Sequence, residues 1–177
     1  MAQQYATSAF IDGWTAAEDS GLEAGIAALR RGFASRAASG RNFEEPQVLA
    51  YLVEMLVEAA QPEEGMKVLA EAFAGSGDKG LIYWDAELRR LRGALLLLSD
   101  GNESEAEACF KQAIEIARGQ SAKSFELRAA TDLARLWRGE GKRTEARDLL
   151  APVHGWFTEG FDTADLKDAK ALLDDLT

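Results

Sequence analysis

The stretch Ala106-Glu-Ala-Cys-Phe110-Lys-Gln-Ala113 sets a small, a large and a small residue at offsets of 0, +4 and +7, which is one face of an α-helix. The same triplet recurs as Gly25, Leu29, Gly32, as Gly65, Leu69, Ala72 and as Ala146, Leu150, Val153. Its leading residues stand 40, 41 and 40 positions apart, so one supersecondary unit is repeated four times. Small residues let a neighbouring helix approach closely, and the large middle residue fills the space between them. Twelve or thirteen residues before each triplet stands another lattice residue, Gly13, Val53, Gly93 or Ala134. Three positions after these come Ala16, Leu56, Leu96 and Trp137. Each unit therefore reads helix, short turn, helix.

Punctuation agrees with this division. Ser20-Gly-Leu-Glu23 and Asn102 with Glu105 have capping-box spacing. Pro46 and Pro62 stand at first helical positions, with Glu63 and Glu64 in the first turn of the second of these helices. Ser39-Gly-Arg-Asn42, Gly75 to Gly80 and Gly119-Gln-Ser121 are turn-rich. The expected helices cover 3–19, 22–38, 45–60, 62–74, 82–99, 103–118, 123–139, 143–157 and 164–176. The pattern resembles the tetratricopeptide repeat, whose usual length is about 34 residues, so about six extra residues are expected between units. The fold expected is all-α: a right-handed superhelical array of four tetratricopeptide-like helix pairs plus a C-terminal capping helix, in one domain over 1–177. The units fall at about 3–38, 45–74, 82–118 and 123–157. In the last helix Leu166, Ala169, Leu172, Leu173 and Leu176 share a face, as a cap over an open stack requires, and Trp156, Phe157 and Phe161 are placed to clasp it. No comparable cap stands at the N-terminus, which suits the tail of a longer array.

Composition limits the function. No run approaches the roughly 18 apolar residues of a membrane span, and Met-Ala-Gln-Gln-Tyr5 does not open a signal peptide. One cysteine, Cys109, rules out an intrachain disulfide and suits a reducing interior, so the protein reads as cytoplasmic. A net charge of −10 argues against nucleic acid as partner. The charge is uneven: residues 1–88 hold 6 basic and 14 acidic side chains, and residues 89–177 hold 14 and 16.

The residues also supply no catalytic set, cofactor site or metal site. Gly75-Ser-Gly-Asp-Lys-Gly80 follows a helix and lacks the Gly-Lys-Ser/Thr ending of a phosphate loop, so it reads as a linker. His154 is the single histidine and reads as a helix-end residue beside Trp156. Cys109 precedes Phe110 on a packing helix and reads as a small buried hydrophobe. The acid pairs Glu44-Glu45, Glu63-Glu64 and Asp174-Asp175 diverge around a helix and converge on no common atom.

A second resemblance is strongest over residues 84–177 and continues more faintly over 1–83. Ala106-Glu-Ala-Cys-Phe-Lys-Gln-Ala-Ile-Glu-Ile-Ala-Arg118 is followed by Lys123-Ser-Phe-Glu-Leu-Arg-Ala-Ala-Thr-Asp-Leu-Ala-Arg-Leu-Trp137 and by the run from Glu145 to Thr163. These are similar to the C-terminal tetratricopeptide region of large bacterial nucleotidyl-cyclase-like and signal-transduction ATPase proteins. The resemblance implies a regulatory or scaffolding role and brings no catalytic residue.

In such arrays the first helices line a concave groove that takes peptides or helices. The inward positions expected here are Phe10, Trp14 and Ala17, then Ala50, Glu54 and Val57, then Arg90, Ala94 and Leu97, then Thr131, Arg135 and Arg138, with Arg128 nearby. The groove would run from aromatic and acidic to arginine-rich, and Arg pairs bidentately with carboxylates, so an acidic peptide or helix is the expected partner. The Lys/Asn clamp of chaperone-binding tetratricopeptide domains is absent from these positions. A regulatory sensor arm and a homodimer through the first helix pair, with Phe10 and Trp14 at its contact, are the alternative readings.

Overall fold

The computed structural model describes residues 15, 21–38, 46–75, 81–99 and 102–177, and among these the chain is all helix and turn, without strands. The described helices are α1 (Leu22–Ala38), α2 (Pro46–Glu58), α3 (Pro62–Gly75), α4 (Leu81–Leu98), α5 (Glu103–Gly119), α6 (Lys123–Gly139), α7 (Arg143–His154) and α8 (Ala164–Asp175). The expected helix over 3–19 apart from Thr15, the cap Ser20, the turn at 39–42 and the linker at 76–80 lie outside the described residues. No helix among the described residues is long and apolar enough to cross a membrane.

The chain forms two compact units, divided between Trp84 and Asp85. In the first, α2 packs on α1 and α3 around Ile26, Leu29, Val48, Leu52, Met55 and Leu56. α2 stops at Glu58, earlier than position 60. Ala60 turns left-handed (φ 52°), Gln61 N–H donates to Leu56 C=O and Ala60 N–H to Val57 C=O, which closes the helix in a Schellman arrangement. The same closure recurs at Ser121 (φ 57°) and Gly141 (φ 81°), so two of these three left-handed positions carry a side chain.

In the second unit α6 lies at the centre, packed against α5, α7 and α8. Every described lattice residue of the four triplets is buried except Gly32, which is partly exposed. The lattice has a steric reason at Gly93: a Cβ there would lie 2.6 Å from Cε1 of Phe110, the large residue of the next helix. Asn102 caps α5, accepting from the Glu105 N–H at 3.2 Å while its amide donates to Glu105 Oε2 at 2.9 Å. The extra length of the repeat lies elsewhere than expected at this junction. α5 and α6 are joined by only Gln120 to Ala122, and the length is taken up by α4 and α5, of 18 and 17 residues.

α7 ends at His154, three residues before the expected 157. Gly155 N–H still reaches Ala151 C=O, but Trp156 and Phe157 N–H bond three residues back, tightening the chain out of the α-helix. α8 buries Leu166, Ala169 and Leu172, and Leu176 just beyond its end, in the core shared with α6 and α7. The aromatic clasp is smaller than expected. Phe157 packs on that core, whereas Trp156 and Phe161 are 58% and 52% exposed. His154 has the ring of Phe161 as its neighbour, with centroids 6.0 Å apart, while Trp156 stands edge-on to Phe157.

Candidate functional site

The arginines expected in the groove converge in the second unit, but each of them already holds carboxylates of this chain. Arg90 on α4 is 7% exposed. Its Nε and Nη2 donate to Glu87 Oε2 and Oε1 at 3.0 and 2.6 Å, and its Nη1 donates to Asp132 Oδ2 of α6 at 2.8 Å. Arg128 Nη1 lies 2.9 Å from Glu87 Oε1. Arg135 Nη1 donates to the other oxygen of Asp132 at 2.9 Å and its Nη2 to Asp168 of α8. Arg138 Nη1 reaches Asp175 Oδ2 at 2.9 Å. Burial opposes the charge on Arg90, but Glu87 and Asp132 outweigh it and hold the guanidinium well above its ordinary value. Arg135 is shifted the same way, against burial, by Asp168 and Asp132.

The pairing has a register. Arg128, Arg135 and Arg138 ascend α6 while their partners Asp165, Asp168 and Asp175 ascend α8, so the two helices run in the same direction. The outer members span ten residues on each helix, about 15 Å at helical rise. Beside this ionic row α8 lays down its apolar stripe. The surface thus holds an amphipathic helix by burying one face and pairing the acids that flank it.

The other expected inward residues divide. Ala50 and Thr131 are buried, like Arg90, and the Thr131 hydroxyl donates to Leu127 C=O at 2.8 Å. All three stand three residues before a lattice residue, and this position is covered by the packing instead of open to a partner. Glu54, Val57, Ala94 and Leu97 are partly exposed. Arg135 and Arg138 keep 39% and 42% of their side chains exposed. Phe10, Trp14 and Ala17 lie outside the described residues. Trp84 packs edge-on against Tyr51 of α2, with centroids 6.0 Å apart. Trp137 is partly buried on the core and donates its indole N–H to Glu107 at 2.9 Å. Glu87 and Asp132, which join the arginines into one chain, escaped the sequence reading. Their signal is the spacing of three to Arg90 and Arg135.

Cys109 is buried, and burial pushes its thiol up, away from the reactive thiolate. Burial opposes the charge on Glu126, but Arg118 and Lys123 at 2.7 and 2.6 Å hold its carboxyl below the usual range. Among the described residues no group of three or more His, Cys, Asp or Glu side chains is placed to hold a metal.

No protein-family model matches this chain, and no solved structure does. It is similar to an uncharacterized protein of Rhizobium meliloti (strain 1021), 29% identical over 129 residues. The match covers 73% of this chain but 12% of that protein, so the chain corresponds to a small part of its relative.

Proposed function

We propose that the chain is a tetratricopeptide-like interaction module of bacterial cytoplasmic signalling, an array of helix pairs whose first helices hold an acidic peptide or helix of a partner protein. One observation carries this reading: the arginine row of α6 meets Asp165, Asp168 and Asp175 of an amphipathic helix in the same order along both helices, with equal spacing between the outer two pairs. Arg135 and Arg138 remain open enough to share their outer N–H groups with a second acidic segment. The reading assigns the protein no reaction of its own.

The test is affinity purification from the source cell with the wild type and with the charge swap R138E/D175K. The swap keeps an ion pair between α6 and α8 while reversing the sign presented by α6. Loss of an acidic partner is expected. Recovery of the same partners in the same amounts would contradict the reading.

A regulatory arm that biases an attached enzyme is the second reading. It is favoured by the length of the relative, of which this chain matches 12%. An enzyme domain on the same polypeptide, with activity altered by R138E/D175K, would select it.

A further inference from the structure

α8 repeats α6. Leu127, Ala130, Leu133 and Trp137 of α6 reappear as Leu166, Ala169 and Leu172 of α8 and Leu176 at its C-terminal cap, at a constant offset of 39, and Lys167 stands at that offset from Arg128. α8 also runs alongside α6 in the same direction and packs on α7, which follows α6. It therefore holds the place of the first helix of a further pair. The earlier pairs are completed by a second helix on the first: α3 on α2, and α7 on α6.

Where such a second helix would lie against α7 and α8 there is a groove of about 480 Å³, bounded by His154, Phe161, Leu166, Lys167, Lys170, Ala171 and Asp174. Phe161 offers an exposed aromatic ring there. His154 Nε2 is buried in the wall without a hydrogen-bond partner. Lys170 is paired with Asp174 one turn on, whereas among the described residues Lys167 has no carboxylate partner. An apolar floor with a cationic edge is also how α4 receives α5. Phe110 fills the space at Gly93, Arg92 takes Glu105 at 2.6 Å, and Arg89 takes the Gln112 side chain at 2.9 Å.

We propose that the α7–α8 groove seats a helix of a partner protein, with an apolar residue against Phe161, Leu166 and Ala171 and an acidic residue facing Lys167 at the edge where Asp174 holds Lys170. Charge complementarity selects this occupant: Asp174 already neutralises Lys170, and Lys167 is the cation left for an incoming carboxylate. The seat is independent of what the arginine face of α6 binds.

The probe is a synthetic peptide of residues 103–119, the acidic α5 sequence, made with C109S and a lactam between Lys111 and Glu115. Both of the linked positions are exposed when α5 is in place. It is titrated into the isotope-labelled whole chain and followed by nuclear magnetic resonance. The expected result is perturbation of amides at 154, 161 and 166–174, with affinity falling at least about tenfold in K167E/K170E and at raised salt. The melting temperature of that variant should stay close to wild type, which separates lost binding from lost fold. No perturbation, equal affinity in K167E/K170E, or shifts confined to α4 would overturn the proposal; shifts confined to α4 would mean exchange with the chain's own α5. Each of these leaves the reading of the arginine face standing.

Discussion

In the first unit, α1, α2 and α3 are held by an apolar seam, with polar links at its rim: Gln61 to Glu23 and Arg30 to Glu64, the latter pair nearly half exposed. In the second unit a comparable seam is joined by a chain of charges, from Arg128 through Glu87, Arg90, Asp132 and Arg135 to Asp168, that passes through buried groups. The same lattice of small and large residues builds both. The difference is what the charge count conceals. The surplus of arginine after residue 88 suggests a free cationic surface, yet much of it ties α4, α6 and α8 together. Only the outer part of that row remains for a partner.

The comparison breaks most sharply at Glu87. Its carboxylate is 2% exposed and holds both Arg90 and Arg128, so Glu87→Leu strips the buried Arg90 of two of its bonds and leaves Asp132 to carry its charge. A loss of about 3–5 kcal/mol in denaturant unfolding is expected. Arg30→Ala in the first unit breaks an exposed pair and should cost at most about 1 kcal/mol. Equal costs would show that the two units are not held differently.

Gly93→Ala tests the lattice instead of the charges. The new methyl group meets the Phe110 ring at 2.6 Å, and the expected overpacking cost is about 1–3 kcal/mol. A neutral result would mean that the ring has room to withdraw.

Acid should weaken the second unit first. The Glu126 carboxyl is held below its ordinary value in the folded chain, and Glu107 is lowered by its bonds to Lys111 and Trp137. Such groups stabilise the fold above the unfolded carboxylate range, near pH 4.3, and that contribution is lost as pH falls through the lower folded values. Hydrogen exchange read by mass spectrometry should show residues 103–139 losing protection between about pH 5 and 3. E126Q should flatten the profile, and an unchanged profile would contradict the assignment.

The smallest of these changes raises stability. Ala60 occupies a left-handed position that costs an L side chain about 1 kcal/mol, so Ala60→Gly should raise the denaturation midpoint, less the added freedom of the unfolded chain. A lower midpoint would count against this.

The repeat was legible because packing is written locally. Gly93 and Phe110 announce a close approach by their sizes and spacing, and the helix ends at Pro46, Pro62 and Asn102 follow from backbone chemistry alone. The end of α7 was less legible, because Pro152 and the turn after Gly155 lie inside a continuous apolar period. The state of the arginines was not legible from helix faces one at a time. Arg138 and Asp175 are 37 positions apart, and their meeting depends on α8 lying parallel to α6. The matched ten-residue spacing on the two helices carries that information, but only once the helices are set side by side.

A double-mutant cycle on Arg138 and Asp175 measures that register directly. Unfolding free energies would be compared for the wild type, R138E, D175K and the swap R138E/D175K. If α6 reads the acids of α8 in register, each single reversal destabilises the chain and the swap recovers most of the loss, with a favourable coupling of about 0.2–1 kcal/mol that shrinks at high salt. Additive effects with no coupling would contradict the register, and with it the argument that this face recognises an acidic helix.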